Sequence, residues 1–333
     1  MSFCDSSTAA AAQENKLAES LRPRLRVEEY FARSGRTFRK SRFRLWFNLR
    51  IKTAVFKFIF KLLGIYSRGI RNALSPRVSH VQLYFEDLPQ AFDGFEILHL
   101  SDFHIDKMDG LMEVLAPVLA NLRPDLCVMT GDYRYEINGP YDEVYPRMSG
   151  VLSKIHARLG TLGILGNHDA AEMAFWFERM GVRMLINDSV AIREEDSCLW
   201  FAGVDDQFDY RCADMPKAVS AIPAAGFKIL LAHSPQMYGE ASELGVRLYL
   251  CGHTHAGQVR LPVLGAVKKN APVPRPFVQG HWTFGEMQGY TSWGAGCSTL
   301  PVRYRCPPEV ALLQLRRGKA PAVKREKRIF SSP

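Results

Sequence analysis

The feature that most constrains this chain is a repeated local event: five apolar runs each end abruptly in Asp, Asn or His. Glu96–Leu100 runs into Ser101-Asp102-Phe103-His104, and Asp125–Thr130 into Gly131-Asp132. Leu162–Leu165 leads to Gly166-Asn167-His168-Asp169, Phe227–Ala232 to His233, and Leu248–Cys251 to Gly252-His253-Thr254-His255. Runs this short read as buried strands, and α/β proteins put their chemistry at the carboxyl ends of such strands. Side chains at i and i+2 of an extended chain point to one side, so the spacing predicts Asp102 and His104 reaching a single ion. Glycine directly ahead of Asp132, Asn167 and His253 permits a tight turn and close backbone approach. A turn or a satisfied buried histidine would explain any one motif; five together point to a metal site. The donors are nitrogen and oxygen without thiolate, a set that suits Mn, Fe or Zn in an octahedral-leaning site better than a structural zinc site. There are too many for one ion, which points to two divalent ions sharing a bridging carboxylate.

Between these runs, Leu111–Leu122, Val144–Arg158, Ala170–Met180, Met215–Ile222 and Met237–Gly245 read as helices. Strands alternating with helices argue for an α/β fold. Met184–Ile192 and Leu199–Val204 read as strands with no helix between them, which suggests a second sheet of antiparallel character. Pro262–Gly285 is a Pro- and Gly-rich insertion; with Phe277, Trp282 and Phe284 it could form a lid or acyl groove, or a plain surface loop.

The net charge of +9 is unevenly placed: Arg22 to Arg71 holds fifteen Lys or Arg against only Glu28 and Glu29. The remainder is close to neutral, so the basic character belongs to the N-terminal segment. The composition divides the chain into a disordered stretch (1–20), a basic, aromatic-rich membrane-interface segment (21–75), a folded domain (76–318) and a basic tail (319–333). Within the second part, Leu45–Tyr66 reads as a helix on which Arg50, Lys57, Lys61 and Arg68 fall near one line beneath a broad aromatic face. That pattern predicts a helix lying in the membrane interface; a transmembrane anchor and a core-packed helix are the alternatives. Lysine near a bilayer centre costs roughly 2.5–3.5 kcal/mol, which disfavours a span. The expected partner is an anionic membrane surface rather than nucleic acid, because the interleaved aromatics suit lipid. Seven scattered cysteines without a CxxC read as free thiols of a reducing compartment. No secretory signal is evident, so the expected location is cytoplasmic, peripheral to the inner face of the membrane.

Taken together, Asp102-x-His104, Gly131-Asp132, Gly166-Asn-His-Asp169, His233 and Gly252-His-Thr-His255 resemble the five blocks of the calcineurin-like metallophosphoesterases. The resemblance covers roughly residues 90 to 315. It is greatest to the membrane-associated bacterial branch, in which a hydrophobic or basic segment precedes the catalytic domain. It implies a four-layered α/β/β/α sandwich of two mixed sheets. It also implies that Asp102, His104, Asp132 and His255 hold one metal, and Asp132, Asn167, His233 and His253 a second, with Mn the first choice and Fe or Zn possible. His168 would protonate the leaving oxygen or stabilise the charged transition state, and water activated by the ions would attack phosphorus in line. Asp169 would be a turn residue or a support for the ligands.

Two departures stand out. Gly131-Asp-Tyr-Arg-Tyr135 lacks the Asp-Arg pair that protein serine/threonine phosphatases carry here, leaving Arg134 to bind a phosphate oxygen or to lie on the surface. Ala256 stands where close relatives often have glycine. The implied activity is a phosphodiesterase or pyrophosphatase on a membrane-borne, lipid-linked phosphoester. An example is UDP-2,3-diacylglucosamine, cleaved to a lipid-linked sugar phosphate and UMP in lipid A biosynthesis. The alternatives are a hydrolase of soluble nucleotides and a non-catalytic binding scaffold on the same fold.

Overall fold

The computed structural model describes residues 4–34, 43–137, 139–262, 265–266 and 269–320; the expected basic tail lies outside the described residues from position 321. In chain order the strands are β1 (Arg77–Phe85), β2 (Glu96–Leu100), β3 (Leu126–Met129), β4 (Thr161–Gly163), β5 (Val182–Met184), β6 (Asp188–Glu194), β7 (Ser197–Gly203), β8 (Phe227–Leu231) and β9 (Val246–Cys251). They continue with β10 (Arg260–Leu261), β11 (Gly265–Ala266), β12 (Gly280–Phe284), β13 (Met287–Thr291) and β14 (Glu309–Arg317). One six-stranded sheet runs β1-β14-β2-β3-β4-β5 and the other β12-β13-β9-β8-β7-β6. In the first, β2 to β5 are parallel while β14 opposes β2. In the second, β7, β8, β9 and β13 are parallel, with antiparallel β6 and β12 at the edges.

The apolar strands are buried on both faces, which is why they read as continuous hydrophobic runs. Ile97, Val128 and Leu162 of the first sheet meet Phe201, Ile229 and Leu250 of the second in the central core. The outer face of the first sheet is covered by α4 (Leu111–Ala120), α5 (Val144–Leu152) and α6 (Ala171–Arg179). The outer face of the second carries α7 (Met215–Val219) and α8 (Tyr238–Glu243). The expected α/β/β/α sandwich is therefore present, and the parallel strands of both sheets bring their ligand-bearing loops to one end.

Four expectations change. Met184–Ile192 is not one strand: Asn187 adopts φ 52°, breaking the run so that β5 ends the first sheet and β6 begins the second. In the insertion, Phe277 and Trp282 are only 7% and 4% exposed and pack inward on the second sheet, with Trp282 Nε1 donating to Thr291 Oγ1 at 2.8 Å. They cannot line an acyl groove; Phe284, 39% exposed, is the only one of the three aromatics that faces outward.

The N-terminus changes most. Rather than disorder up to residue 20, helix α1 (Cys4–Ser34) occupies this region. Leu17 and Leu21 are buried in the core beneath α6, which repays the ordering entropy that the polar composition alone would not. Truncating Leu21 to alanine should cost about 2–5 kcal/mol. A shift in the urea midpoint checks this, and no shift would mean that α1 is not part of the folded unit.

The aromatic segment forms α2 (Phe43–Leu62), shorter than expected, because Gly64 at φ +68° turns the chain into α3 (Tyr66–Ala73). Arg68 thus leaves the line of cations. Val55, Phe56, Phe58, Ile59, Leu62 and Leu63 are all exposed, Leu62 and Phe58 by 74% and 65%. Phe60 instead stacks on Tyr304 at 5.7 Å between centroids. Among the described residues no helix is long and apolar enough to cross a membrane.

Candidate metal centre

All five motif loops meet. Asp102, His104 and His255 place ligand atoms within 4.8 Å of one another, and so do Asp132, His233 and His253. Between the two groups stands Asp132, whose Oδ2 is 3.2 Å from His233 Nε2 and 3.6 Å from His104 Nε2. Asn167 joins the second group, with Oδ1 3.0 Å from His253 Nδ1. The carboxylate of Asp132 is thus the element common to both, as a bridging ligand must be.

The local backbone explains how short loops deliver so many side chains. Asp102, His104, Asp132, His253 and His255 all have positive φ, between 39° and 67°. Such conformations are costly outside glycine and cluster at functional sites. Asp102 and His104 are therefore not on an extended chain as expected: both lie beyond β2, in left-handed turns, with Phe103 buried between them. Ala256 too is left-handed at φ 49°, carrying the strain that a glycine would avoid. Close approach accounts for all three glycines, a Cβ on Gly166 meeting Asp132 Oδ1 and N. A Cβ on Gly131 would collide with Gly166 N, and one on Gly252 with Ser101 Oγ and Asp102 Oδ2.

The hydrogen bonds turn ring nitrogens inward. His104 Nδ1 donates to Arg134 O at 2.8 Å and His233 Nδ1 to Thr130 O at 2.7 Å, directing each Nε2 towards Asp132. His104 Nε2 and His255 Nε2 face one another at 3.1 Å. Ring nitrogens converging beside two buried carboxylates are what a divalent cation requires, and on His104 and His233 the outer ring nitrogen is held by a backbone carbonyl. The donor set fits the pair of ions.

The electrostatics follow from burial and proximity. Burial pushes the Asp102 carboxyl above its ordinary range. Burial also acts to raise Asp132, but His233, His168 and His104 outweigh it and hold that carboxyl well below the usual range. Burial acts to lower His233, yet Asp132 raises it to about 10, while burial and His233 push His253 down to about 3.

His168 sits at the rim. Its backbone N–H donates to Asp132 Oδ1 at 2.9 Å, its Nδ1 bonds the Tyr135 carbonyl, and its Nε2 lies 3.9 Å from Asp132 Oδ2. Asp169 ties two loops together: Oδ2 accepts the Gly166 and Asp132 N–H groups at 2.8 Å each, and Oδ1 accepts Tyr133 N–H at 2.9 Å.

Arg134 is not a surface residue: its guanidinium is committed to loop carbonyls. It is buried, with its fork donating to His168 O at 2.6 Å and Ile137 O at 2.5 Å. Three residues escaped sequence reasoning. Asp209 Oδ2 accepts Asn167 Nδ2–H at 2.9 Å and so turns Asn167 Oδ1 towards His253. Arg303 lies fully buried against the loop carbonyls of Trp293 and Gly294, with Nη2 3.4 Å from His255 Nδ1. Arg24 reaches the back of the Asn167 loop. Asp209 had a signal, because β7 also ends in acidic residues, at Asp205 and Asp206; the two arginines had none.

A family model described as calcineurin-like phosphoesterase matches residues 95–257. The uncharacterized metallophosphoesterase YkuE of Bacillus subtilis (strain 168) is 30% identical over 240 residues, covering 69% of this chain and 82% of the relative. Phosphodiesterase YaeI of Escherichia coli (strain K12) is 28% identical over 248 residues, 72% of this chain and 87% of the relative. A solved 5'-nucleotidase precursor from Thermus thermophilus aligns with 66% of this chain and 54% of its own at 13% identity, with a TM-score of 0.40.

Proposed function

Because the chain belongs to the calcineurin-like metallophosphoesterases, hydrolases of phosphoester bonds that use a dinuclear metal centre, we propose that its substrate is a lipid-linked phosphodiester or pyrophosphate held in a membrane surface. UDP-2,3-diacylglucosamine is the specific candidate, with UMP as one product. Asp102, His104, Asp132 and His255 would hold one ion and Asp132, Asn167, His233 and His253 the other, manganese being the first choice. Bound there, the two ions supply Lewis-acid charge to the phosphoryl oxygens and acidify a water. The chain's own groups do the rest. Asp132, fixed through Oδ1 by the His168 N–H, keeps Oδ2 between the two ligand groups. His168, with Nδ1 committed to the Tyr135 carbonyl, is oriented to pass a proton from Nε2 to the leaving oxygen.

The observation that carries the membrane-borne substrate is the apolar face of α2. Phe56, Phe58, Ile59, Leu62 and Leu63 stand exposed beside Lys57 and Lys61, the composition of a helix lying in a lipid interface. The protein would sit peripherally on the cytoplasmic face, searching for substrate in two dimensions.

Deleting residues 1–72 would not test this cleanly, since Leu17, Leu21 and Arg24 are buried in the body. Point variants do. Replacing Phe56, Phe58 and Leu62 by serine should abolish flotation with anionic vesicles and lower turnover of UDP-2,3-diacylglucosamine about tenfold or more, each lost side chain removing roughly 1.5–3 kcal/mol of burial. Hydrolysis of a soluble diester such as bis-p-nitrophenyl phosphate should stay unchanged. Equal rates on the lipid substrate before and after substitution would favour soluble nucleotides instead.

A further inference from the structure

We propose that Arg24, on α1, is a positioning residue for the reaction: it holds from behind the turn that carries Asn167 and His168. This rests on the reading of Asn167 as a metal ligand. The guanidinium is fully buried. Its Nη2 donates to the carbonyl of Gly166 at 2.5 Å and to that of Asp169 at 2.9 Å. Those two carbonyls flank Asn167 and His168, so one fork closes both ends of a four-residue turn. Nη1 pairs with Asp205, itself fully buried, and the plane lies 3.7 Å from the Tyr210 ring centroid.

The other groups of this corner converge on the same turn. Tyr210 Oη donates to Asp169 O at 3.1 Å and lies 3.1 Å from Glu28 Oε1, and Glu28 accepts the first N–H of α6, from Ala171, at 2.9 Å. The turn is therefore gripped on two sides. The Asp169 carboxylate holds its inner side through the Gly166, Asp132 and Tyr133 amides. Arg24 holds its outer side.

The choice of residue is informative. Three acceptors in different directions suit a planar fork, whereas an ammonium on a flexible stem would satisfy one or two. A mere structural ion pair would need Asp205 alone. Arg24 also lies outside the segment matched by the family model, which begins at residue 95. An N-terminal helix that precedes the catalytic domain in sequence thus completes its ligand geometry.

The test compares full-length Arg24→Lys, Arg24→Ala and Tyr210→Phe with Leu119→Ala, a core truncation on α4 that touches none of these groups. Mn²⁺ binding is measured by equilibrium dialysis, stability by urea, and kcat and KM on bis-p-nitrophenyl phosphate. Arg24→Lys should keep the charge facing Asp205 yet weaken Mn²⁺ binding at one of two sites about tenfold or more, with kcat falling and KM changing less. Arg24→Ala should lose more, and Tyr210→Phe less, in the same direction. Leu119→Ala should lose stability and keep wild-type Mn²⁺ affinity and kcat. Arg24→Lys and Tyr210→Phe variants that bind Mn²⁺ and turn over as Leu119→Ala does would overturn the proposal. Wild-type protein that binds no Mn²⁺ pair would overturn the reading of the metal site and this proposal with it, a result distinct from any difference among variants.

Discussion

Asp132→Asn should abolish phosphodiester hydrolysis, on the order of a thousandfold or more in kcat/KM, and release both metal ions rather than one. The carboxylate is the member common to the two ligand groups, with Oδ2 3.2 Å from His233 Nε2 and 3.6 Å from His104 Nε2. An amide keeps the shape and most of the hydrogen bond from the His168 N–H but removes the charge that both ions would share. The charge stabilisation supplied by such a centre is several kcal/mol, and each 1.36 kcal/mol is a factor of ten. Metal analysis beside the kinetic measurement separates the effects. Near-normal turnover, or retention of two ions, would sink the assignment of Asp132 as the bridge.

His168→Gln should behave differently: kcat falls by about 10²–10⁴ while the ions stay bound. That range is the usual contribution of a positioned acid or base. The reason for expecting retained metal is geometric. His168 Nε2 stands 3.9 Å from Asp132 Oδ2, farther than the nitrogens of His233 and His104. A third possible ligand group, His104, Asp132 and His168, does exist, so the experiment has a sharp alternative. Loss of one ion in His168→Gln would make His168 a ligand and leave the leaving-group proton to another donor. The main-chain bond from His168 to Asp132 survives the substitution, so glutamine should not disturb the bridge.

The site was legible in sequence because its residues interrupt the strongest local signal a chain carries. Apolar β2, β3, β8 and β9 can be read without knowing their neighbours, and a His or Asp immediately beyond a buried strand is conspicuous. Why those residues converge was read less well. Asp102 and His104 are brought to one cluster not through the pleat of a strand but through two left-handed turns, which no residue-type pattern announces. Supporting residues were harder still. Arg134 reads as a phosphate-binding or surface cation and also braces loop carbonyls, since five donors on one side chain can satisfy a whole loop. Phe277 and Trp282 sit among Pro and Gly, which hides that β12 hydrogen-bonds to β13 and carries Trp282 inward, with Phe277 of the preceding turn packed against it. For α1 the spacing of Leu17, Leu21 and Arg24 does describe one helical face. The flanking Ala, Ser and Gln mask it by suggesting disorder, and a buried arginine has no signature apart from the Asp205 opposite it.

The docking of α3 ties the N-terminal helices to the catalytic body. Gly69 packs so tightly against Val302 and Tyr304 that a Cβ there would lie 2.7 Å from Val302 Cβ. The Gly69 carbonyl accepts Arg303 N–H at 3.0 Å, and Asn72 Nδ2 donates to Arg303 O at 2.9 Å. A loose leash between α2 and the catalytic body would let the metal centre wander several nanometres from a lipid surface, its excursions growing as the square root of leash length. This joint is a rigid bracket instead. Were α2 to rest on lipid, as proposed, this docking would set the standoff height of the centre and with it the depth at which phosphoesters come within reach.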